Sequence, residues 1–466
     1  MRKSFASTQF TCQQCGSVFP KWSGQCSSCN AWNSLVEEPV SSVLSSKSAQ
    51  RGKTRGRGLG VLETEKVRVT LRDLGVESRR SLTQSTGMRE FDEVLGGGLT
   101  NGGVVLLAGE PGIGKSTLVS QIVLKGLIKN VKNKRIVYVS GEEHPSQIRE
   151  RLIRLAEGEK NLDLVADSVV FVSTTVAEQA MMLITQEHPS LVILDSVQTM
   201  QSETLSGMAG SVGQLREVAH LFTQLAKELQ VPTLLIGHVT KEGSIAGPKV
   251  LEHIVDTVLS IEGDRTTNLR MLKCHKHRFG PTDRVGLFEM TKKGLEEIAD
   301  PHALFVDEDL SSNSPGAAVA TVLEGNRVLL VEVQALVVES QLAMPRRVCR
   351  GINVPKLQLL AAILQKHCGL ALGGVDIFVN VVGGYHLDDP AGDLAIAMAI
   401  ASSYLNKPLP SDRVYAGEIG LLGEVRMVSR VKDRELEAKK RSYSELVGTG
   451  SARVKWIRTL VQALKK

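Results

Sequence analysis

One short segment constrains the fold of this chain more than any other. It reads Gly109, Glu110, Pro111, Gly112, Ile113, Gly114, Lys115, Ser116, Thr117. An apolar run at residues 104–108 precedes it, and a helical pattern of apolar residues follows from Ser116. Strand, glycine-rich loop and helix in this order, with G-x-x-x-x-G-K-[ST] between them, predict a phosphate-binding loop. A chance glycine turn is the alternative, but both flanks have the pattern that the motif requires.

The chemistry of this loop follows from its residue types. Its glycines let backbone N–H groups turn toward phosphate oxygens, and the helix N-terminus that follows favours negative charge. We expect Lys115 to reach the β- and γ-oxygens of a nucleotide and the Ser116 hydroxyl to hold Mg²⁺. The segment therefore predicts a site for ATP and Mg²⁺.

Length and composition indicate a globular protein of several domains. A chain of 466 residues is too long for one hydrophobic core, and 42% hydrophobic with 23% charged residues is ordinary for a soluble protein. No apolar run has the length of a membrane span. Residues 1–6 lack the apolar core of a secretory signal, so we expect a cytoplasmic protein, with a short targeting segment left open.

Charge is concentrated near the N-terminus. Residues 1–60 contain eight Lys or Arg and two acidic residues, although the whole chain carries only +6. The remaining residues therefore sum to zero. A positive arm on a neutral body favours a polyanionic partner, with nucleic acid as the first candidate, and a solvated linker as the alternative.

Two C-x-x-C pairs lie in the first thirty residues. Their cysteines are Cys12, Cys15, Cys26 and Cys29. Each pair can present two thiolates to one tetrahedral Zn²⁺, and a segment this small needs such a crosslink to fold. Disulfides are the alternative, but a cytoplasmic chain would keep them reduced. We expect Trp22 and Trp32 to cover one side of the zinc site.

Further apolar runs end in polar residues that suit nucleotide chemistry. Glu142 and Glu143 follow the run at 136–139, and Asp195 ends the run at 191–195. Because such residues follow strands, we expect Glu142, ahead of Glu143, to orient the attacking water and Asp195 to bind Mg²⁺ with Ser116. An exposed acidic pair is the alternative for the two glutamates.

Three other features accompany this pattern. His238 follows the run at 233–236 and either senses the γ-phosphate or is a core histidine. Glycine-containing segments at 201–213 and 242–248 are typical of loops that can move with nucleotide state. Lys276-His277-Arg278-Phe279-Gly280 could neutralise a neighbouring subunit's γ-phosphate or grip DNA phosphates, or could be a solvated basic turn.

Taken together, the cysteine pairs, the phosphate loop, Asp195 and this pentapeptide resemble the RadA (Sms) family of bacterial DNA repair proteins over nearly the full length. That family's pentapeptide is Lys-Asn-Arg-Phe-Gly, so this chain departs only at His277. The resemblance implies an ATP- and DNA-coupled role for Lys276 and Arg278. It also implies a homohexameric ring around single-stranded DNA that drives branch migration or unwinding with the recombinase RecA.

The same resemblance implies a C-terminal domain similar to that of Lon protease. Lon-type proteases carry their nucleophilic serine in Gly-Pro-Ser-Ala-Gly, and the corresponding stretch here is Asp389-Pro390-Ala391-Gly392-Asp393. Alanine has no hydroxyl to attack a carbonyl, so serine proteolysis at this position is excluded. Lys432 falls by counting at the general-base lysine, where we expect a surface or DNA-facing cation.

We therefore predict an α/β protein with four parts: a zinc ribbon at 1–38, a flexible basic linker at 39–82, a RecA-like ATPase domain at 83–299 and an inactive Lon-protease-like domain at 300–466. The expected function is a DNA-stimulated ATPase motor in recombinational repair, with ATP, Mg²⁺ and Zn²⁺ as cofactors. Its expected partners are single-stranded and branched DNA and RecA, with no membrane. An ATP-dependent Lon-like protease and a nucleotide-switched scaffold are the alternatives.

Overall fold

The structure is a computed structural model that describes residues 8–12, 17–29, 31–32, 34–39, 83–129, 135–156, 166–238, 248–263, 268–306 and 314–466. Cys15, nearly all of the expected linker and most of the 242–248 segment lie outside these residues. The chain divides into two compact units. The first comprises Met1–Met88, Leu95–Leu259 and Lys276–Gly280, and the second comprises Arg89–Val94, Ser260–His275 and Pro281–Lys466.

The described strands follow in chain order. They are β1 Thr8–Cys12, β2 Val18–Phe19, β3 Leu35–Pro39, β4 Thr83–Gln84, β5 Leu99–Thr100, β6 Val104–Gly109, β7 Ile136–Ser140, β8 Val169–Ser173, β9 Leu191–Asp195, β10 Thr233–His238, β11 Thr257–Glu262, β12 Leu269–His277, β13 Val285–Thr291, β14 Gly294–Glu297, β15 Ala317–Glu324, β16 Arg327–Glu339, β17 Arg347–Arg350, β18 Val375–Val381, β19 Arg413–Ala416, β20 Glu418–Ile419, β21 Val425–Arg426, β22 Glu445–Gly448 and β23 Ala452–Arg453.

The described helices are α1 Arg89–Val94, α2 Lys115–Lys129, α3 Pro145–Leu155, α4 Ala177–Glu187, α5 Val212–Leu229, α6 Pro248–Leu251, α7 Pro301–Phe305, α8 Val354–Cys368, α9 Asp393–Leu405, α10 Val431–Lys440 and α11 Ile457–Lys465. None of the helices in the described part of the chain combines the length and the apolar character needed to cross a bilayer.

The N-terminal ribbon is a small antiparallel sheet in the order β2-β1-β3. Its core is minimal: Cys12, Cys26 and Leu35 are buried, with Phe10 and Phe19 packed against them. So little apolar surface cannot stabilise a fold alone, which agrees with a requirement for a bound metal.

The larger sheet of the first unit has the order β11-β6-β10-β9-β7-β8. Strand β6 pairs with β10, β10 with β9, β9 with β7 and β7 with β8, all in parallel. Strands β6, β7 and β9 are buried along their whole length, which explains why they read as unbroken apolar runs in the sequence. Parallel order brings their carboxyl ends to one edge of the sheet.

The loop expected at 201–213 is shorter than predicted, because α5 begins at Val212. Its anchor is Gln214, whose buried side chain accepts a hydrogen bond from the Ser202 N–H at 2.7 Å and donates to the carbonyls of Ser202 and Leu205 at 3.1 and 2.6 Å. Glutamine in an amphipathic helix gives no sequence signal for such a contact. The segment is thus tied to α5 at one point.

The second unit is built on a seven-stranded mixed sheet, in the order β17-β18-β16-β15-β19-β22-β23. Helix α9 is buried along most of its length and packs on β15 and β16, while α8 and α11 pack against it. Strands β13 and β14 form an antiparallel hairpin, and α1 packs on β13. The strands and helices predicted at 332–336, 377–382, 413–416, 354–365 and 393–404 are confirmed, with shifts of a few residues at their ends.

Candidate active site

The phosphate loop joins the end of β6 to the start of α2, as the sequence predicts. Gly112 and Gly114 have positive φ angles of 79° and 118°, a backbone region that residues with a Cβ rarely adopt. A Cβ on Gly112 would meet nothing within 4 Å, so this glycine is needed for backbone shape rather than for space. The turn directs the loop across the N-terminus of α2, where phosphate is favoured.

Lys115 lies inside this loop and is only 4% exposed. Its Nζ donates hydrogen bonds to the carbonyls of Gly109 and Glu110 at 2.9 and 3.0 Å. Burial lowers the pKa of Lys115, while the nearby carboxylates of Asp195 and Glu142 oppose that shift. Phosphate oxygens would supply the counter-charge that two neutral carbonyls do not, so this ammonium is suited to bind a nucleotide.

Asp195 ends β9 beside the loop and is 4% exposed. Its carboxylate accepts a hydrogen bond from the hydroxyl of Tyr138, at 2.7 Å between Oη and Oδ2. Burial raises the pKa of Asp195, and the hydrogen bond from Tyr138 partly offsets this effect. A hydroxyl and a carboxylate are ligands that Mg²⁺ prefers, so Ser116, in the first turn of α2, and Asp195, at the end of β9, are suited to hold one ion.

The two glutamates after β7 have different surroundings. Arg151 donates to both carboxylate oxygens of Glu143, so that carboxylate is already neutralised. The Glu142 side chain is 47% exposed, and its Oε2 lies 3.4 Å from Nε2 of His238. Only Glu142 therefore presents an accessible carboxylate beside the ends of β9 and β10, which supports the order of preference predicted for the pair.

His238 is part of this edge rather than of the core. Its side chain is 27% exposed, its Nε2 faces Glu142, and its carbonyl accepts from Nε2 of Gln198 at 3.4 Å. Its Nδ1 is buried and has no hydrogen-bond partner among the described residues. This arrangement favours the interpretation of His238 as a nucleotide-facing residue.

Lys276 and Arg278 lie at the other end of the parallel strands, near the start of β6. Nη1 of Arg278 donates to Oδ1 of Asp256 at 3.0 Å, and Oδ2 of Asp256 accepts from the N–H of Val104 at 3.1 Å. Val104 begins β6, whereas the phosphate loop follows its end, roughly 16 Å away at the usual rise per residue. Neither cation can therefore reach a γ-phosphate bound by its own chain.

The Lys276 ammonium has its own anchor. It donates to the carbonyls of Glu252 and Val255, just after α6, the second at 2.9 Å. The Phe279 ring in the same pentapeptide is about half exposed and packs edge-on against His277 at 6.1 Å. The pentapeptide is thus a structured corner and not a solvated turn.

His277, where the resemblance expects asparagine, makes two polar contacts through its ring nitrogens. Nε2 lies 3.1 Å from the carbonyl of Leu95, which can only accept, and Nδ1 lies 2.8 Å from Oγ1 of Thr257. One ring nitrogen therefore donates and the other accepts, as an asparagine amide can also do. A Cβ on Gly280 would lie 2.7 Å from the His277 ring, so the larger side chain requires glycine there.

The cysteine geometry fits a zinc ion. Sγ atoms of Cys12, Cys26 and Cys29 all lie within 4.8 Å of one another, and Cys12 and Cys29 are 3.7 Å apart. Tetrahedral Zn–S bonds of about 2.3 Å place sulfurs about 3.8 Å apart. The expected fourth ligand, Cys15, lies outside the described residues.

Two supporting residues escaped sequence reasoning. Tyr138 lies within the apolar run at 136–139 and carries no motif of its own. The available signal is its hydroxyl, because a buried tyrosine hydroxyl usually needs a hydrogen-bond partner. Asp256, which orients Arg278, comes directly before β11 and had no motif around it.

The stretch around Ala391, which the sequence compares with a Lon-type nucleophile segment, lies in the second unit. Ala391 is fully buried, and Asp389 pairs with Arg434 at 2.7 Å between Oδ2 and Nη2. Lys432 is exposed on α10, as predicted for a surface cation, whereas Arg434 on the same helix is fully buried.

Comparisons with known proteins agree with this geometry. The family model of the ATPase KaiC matches residues 84–301, and that of a rubredoxin metal-binding domain matches residues 10–37. These matches confirm the predicted zinc ribbon and P-loop ATPase fold. An ATPase of this type uses ATP with Mg²⁺, and the ribbon binds Zn²⁺.

Several relatives match this chain over nearly its whole length. DNA repair protein RadA of Aquifex aeolicus is 44% identical over 440 residues, 94% of this chain and 92% of the relative. The RadA proteins of Pseudomonas aeruginosa and Brucella abortus are 42% and 41% identical, over 95% and 94% of this chain and 92% and 90% of their own lengths. The chain belongs to the RadA family of DNA repair proteins.

Proposed function

We propose that this protein is a DNA-stimulated ATPase motor that promotes branch migration or strand extension of recombination intermediates, together with RecA, in the cytoplasm. One observation carries the proposal. The nucleotide-binding residues and the cationic pentapeptide lie near opposite ends of strand β6. Each chain would therefore supply the phosphate loop to one intersubunit site and the cations to another. A ring of identical chains, for which we propose six, would complete every site between neighbours.

The residues have distinct roles in this proposal. Lys115 and the loop's backbone N–H groups bind the triphosphate, and Ser116 and Asp195 hold Mg²⁺, which neutralises charge on the β- and γ-oxygens when bound. Glu142 orients the attacking water, because its carboxylate is accessible and that of Glu143 is paired. His238, beside Glu142, reports whether the γ-phosphate is present.

Lys276 and Arg278 act on the nucleotide or the DNA of the neighbouring subunit. Their own contacts, to two carbonyls and to Asp256, hold them in fixed positions near the start of β6. Preorganised cations stabilise a charged transition state better than mobile ones. Movement of loops that bind single-stranded DNA would then follow the nucleotide state.

The decisive measurement is the ATPase rate with and without single-stranded DNA, for the parent and for Lys115→Ala and Lys276→Ala. We expect DNA to stimulate the parent, no turnover in Lys115→Ala, and normal nucleotide binding with lost strand extension in Lys276→Ala. Lys366→Ala, an exposed cation to which neither site is assigned, serves as the matched control. Normal hydrolysis by Lys115→Ala, or a rate indifferent to DNA, contradicts the proposal.

The two alternatives give different results. A nucleotide-switched scaffold would bind and hydrolyse ATP without extending strands and without DNA stimulation. A Lon-like protease would digest casein, which the buried Ala391 argues against. The predicted boundaries of the ATPase and Lon-like domains at 299 and 300 are part of the same proposal.

A further inference from the structure

Two tryptophans of the zinc ribbon are strongly exposed to solvent. The side chains of Trp22 and Trp32 are 58% and 72% exposed, which leaves most of both indole rings in solvent. Burial of an indole ring against a partner contributes strongly to binding affinity. Two exposed indoles at one place are therefore typical of a recognition surface.

The two rings border the same glycine. A Cβ built on Gly24 would lie 3.8 Å from Cζ3 of Trp32 and 3.9 Å from Cη2 of Trp22. The backbone of Trp32 forms a bridge with that of Gln25, the residue after this glycine, which holds the two tryptophan segments together. Both indole rings therefore lie within van der Waals distance of one backbone position and form one surface.

The charge around this surface suits a polyanion. Residues 1–60 contain eight Lys or Arg against two acidic residues, Glu37 and Glu38, a net charge of +6. Four thiolates on one Zn²⁺ contribute a formal charge of −2, so the N-terminal sixty residues with their zinc still sum to +4. Lys21, the residue before Trp22, would attract a phosphate backbone.

We propose that Trp22 and Trp32, which flank one backbone position at Gly24, stack on an unpaired base of single-stranded DNA, with Lys21 near the phosphates. The inference rests on the proposed DNA motor and assigns the ribbon as its strand-gripping surface. Stacking needs only a planar π-face, so this surface accepts any base. A protein partner that buries the same rings is the competing possibility, and the experiment separates the two.

The test uses the full, zinc-loaded chain with Trp456→Phe, which leaves the ribbon tryptophans as the only fluorophores of their type. Titration with short oligodeoxythymidine should quench their emission. Replacing both by alanine should weaken binding about tenfold or more, because each stacked base is worth about 1–3 kcal/mol. Since that variant has no tryptophan, its binding is measured by the anisotropy of a labelled oligonucleotide, in parallel with the parent. Phenylalanine at both positions should restore most of the affinity.

Three controls make the result specific. Val36→Ala removes another exposed apolar side chain of the ribbon and should not affect binding. An abasic strand of equal length should bind the parent and the double alanine variant equally, because it carries phosphates without bases. Zinc content, measured for every variant, shows whether the ribbon is intact.

Equal binding of the oligonucleotide by the parent and a zinc-loaded double variant would overturn the inference. Equal quenching by the abasic strand would also overturn it. So would a double variant that binds DNA normally but no longer binds a purified recombinase, since the surface would then recognise protein. DNA-stimulated ATPase in that same variant would show that the proposed motor function stands even when this inference fails.

Discussion

The hydroxyl of Tyr138 donates a hydrogen bond to Oδ2 of Asp195 across 2.7 Å, in the interior of the first unit. The contact follows from strand register: β7 and β9 are parallel neighbours, and Ser140, two residues after Tyr138, lies opposite Asp195. Tyr138 is almost fully buried, and burial raises its pKa well above the usual range, so it remains a donor. It orients the carboxylate that is proposed to bind Mg²⁺.

Tyr138→Phe should therefore weaken Mg²⁺ binding while leaving the fold intact. Loss of an oriented outer partner typically costs about tenfold or more in metal affinity. We expect a rise of about tenfold in the Mg²⁺ concentration that half-saturates ATPase activity. Because the lost hydroxyl opposed the raised pKa of Asp195, the defect should grow as the pH is lowered.

Tyr385→Phe is the matched control for that measurement. Its hydroxyl also donates to a carboxylate, that of Glu324 at 2.7 Å, but in the second unit. It should lose a similar hydrogen bond without any change in Mg²⁺ dependence. Equal Mg²⁺ saturation curves for Tyr138→Phe and the parent would show that Tyr138 is only structural.

Asp195→Asn should abolish Mg²⁺-dependent turnover and yet raise thermal stability. Because burial raises the pKa of Asp195, the folded chain holds this proton more tightly than the unfolded chain. The ionised carboxylate thus costs stability above about pH 4, and fully so above the folded-state pKa. Thermal melts in EDTA should show a more stable variant at pH 7, with the difference shrinking as pH falls through that pKa. A less stable variant at pH 7 would contradict this assignment.

Mixing two inactive variants should restore ATPase activity if the site is shared between subunits. Lys115→Ala lacks a working phosphate loop, and Arg278→Ala lacks the cation near the start of β6. In mixed assemblies, some interfaces join an intact loop to an intact Arg278. We expect activity well above that of either variant alone, peaking near equal proportions. If each mixture shows only the weighted sum of the two variants' own ATPase rates, a site shared between subunits is contradicted.

Arg434→Met should destabilise the second unit strongly. Arg434 is fully buried, donates to the carbonyl of Thr321 and neutralises Asp389. Removal of one member of a buried ion pair typically costs about 3–5 kcal/mol, because the other charge stays buried. Chemical denaturation should reveal this loss. Lys432→Met, two residues earlier on the exposed face of α10, should change stability by less than about 0.5 kcal/mol.

His277→Asn should keep the pentapeptide working, whereas His277→Ala should not. Asparagine can donate to Leu95 and accept from Thr257, but alanine leaves both groups without this partner, at about 1–3 kcal/mol for a buried polar group. His275→Ala, at a half-exposed position on the same strand, is the control. DNA-stimulated ATPase and thermal melts should separate these variants, and equal loss in His277→Asn and His277→Ala would refute the shared hydrogen-bonding pattern.

Local sequence patterns were sufficient for the parts of the fold that depend on local physics. The glycine spacing of the phosphate loop, the unbroken apolar runs of β6, β7 and β9 and the paired cysteines each reflect a requirement of a few neighbouring residues. The helices α8 and α9 were predicted for the same reason, although their ends shifted. A resemblance to a known family then linked distant motifs that periodicity alone could not connect.

Only the tertiary structure separated residues that look alike in sequence. Glu142 and Glu143 are adjacent carboxylates, but Arg151, eight residues after Glu143, neutralises only the second. Lys432 and Arg434 are both cations of α10, yet one faces solvent and the other a buried aspartate. In the sequence, Tyr138 is one residue of an apolar run. In the structure, its hydroxyl donates a hydrogen bond to the Asp195 carboxylate. These roles depend on which strands are neighbours and in what register, and long-range pairing is information that no short window of sequence contains.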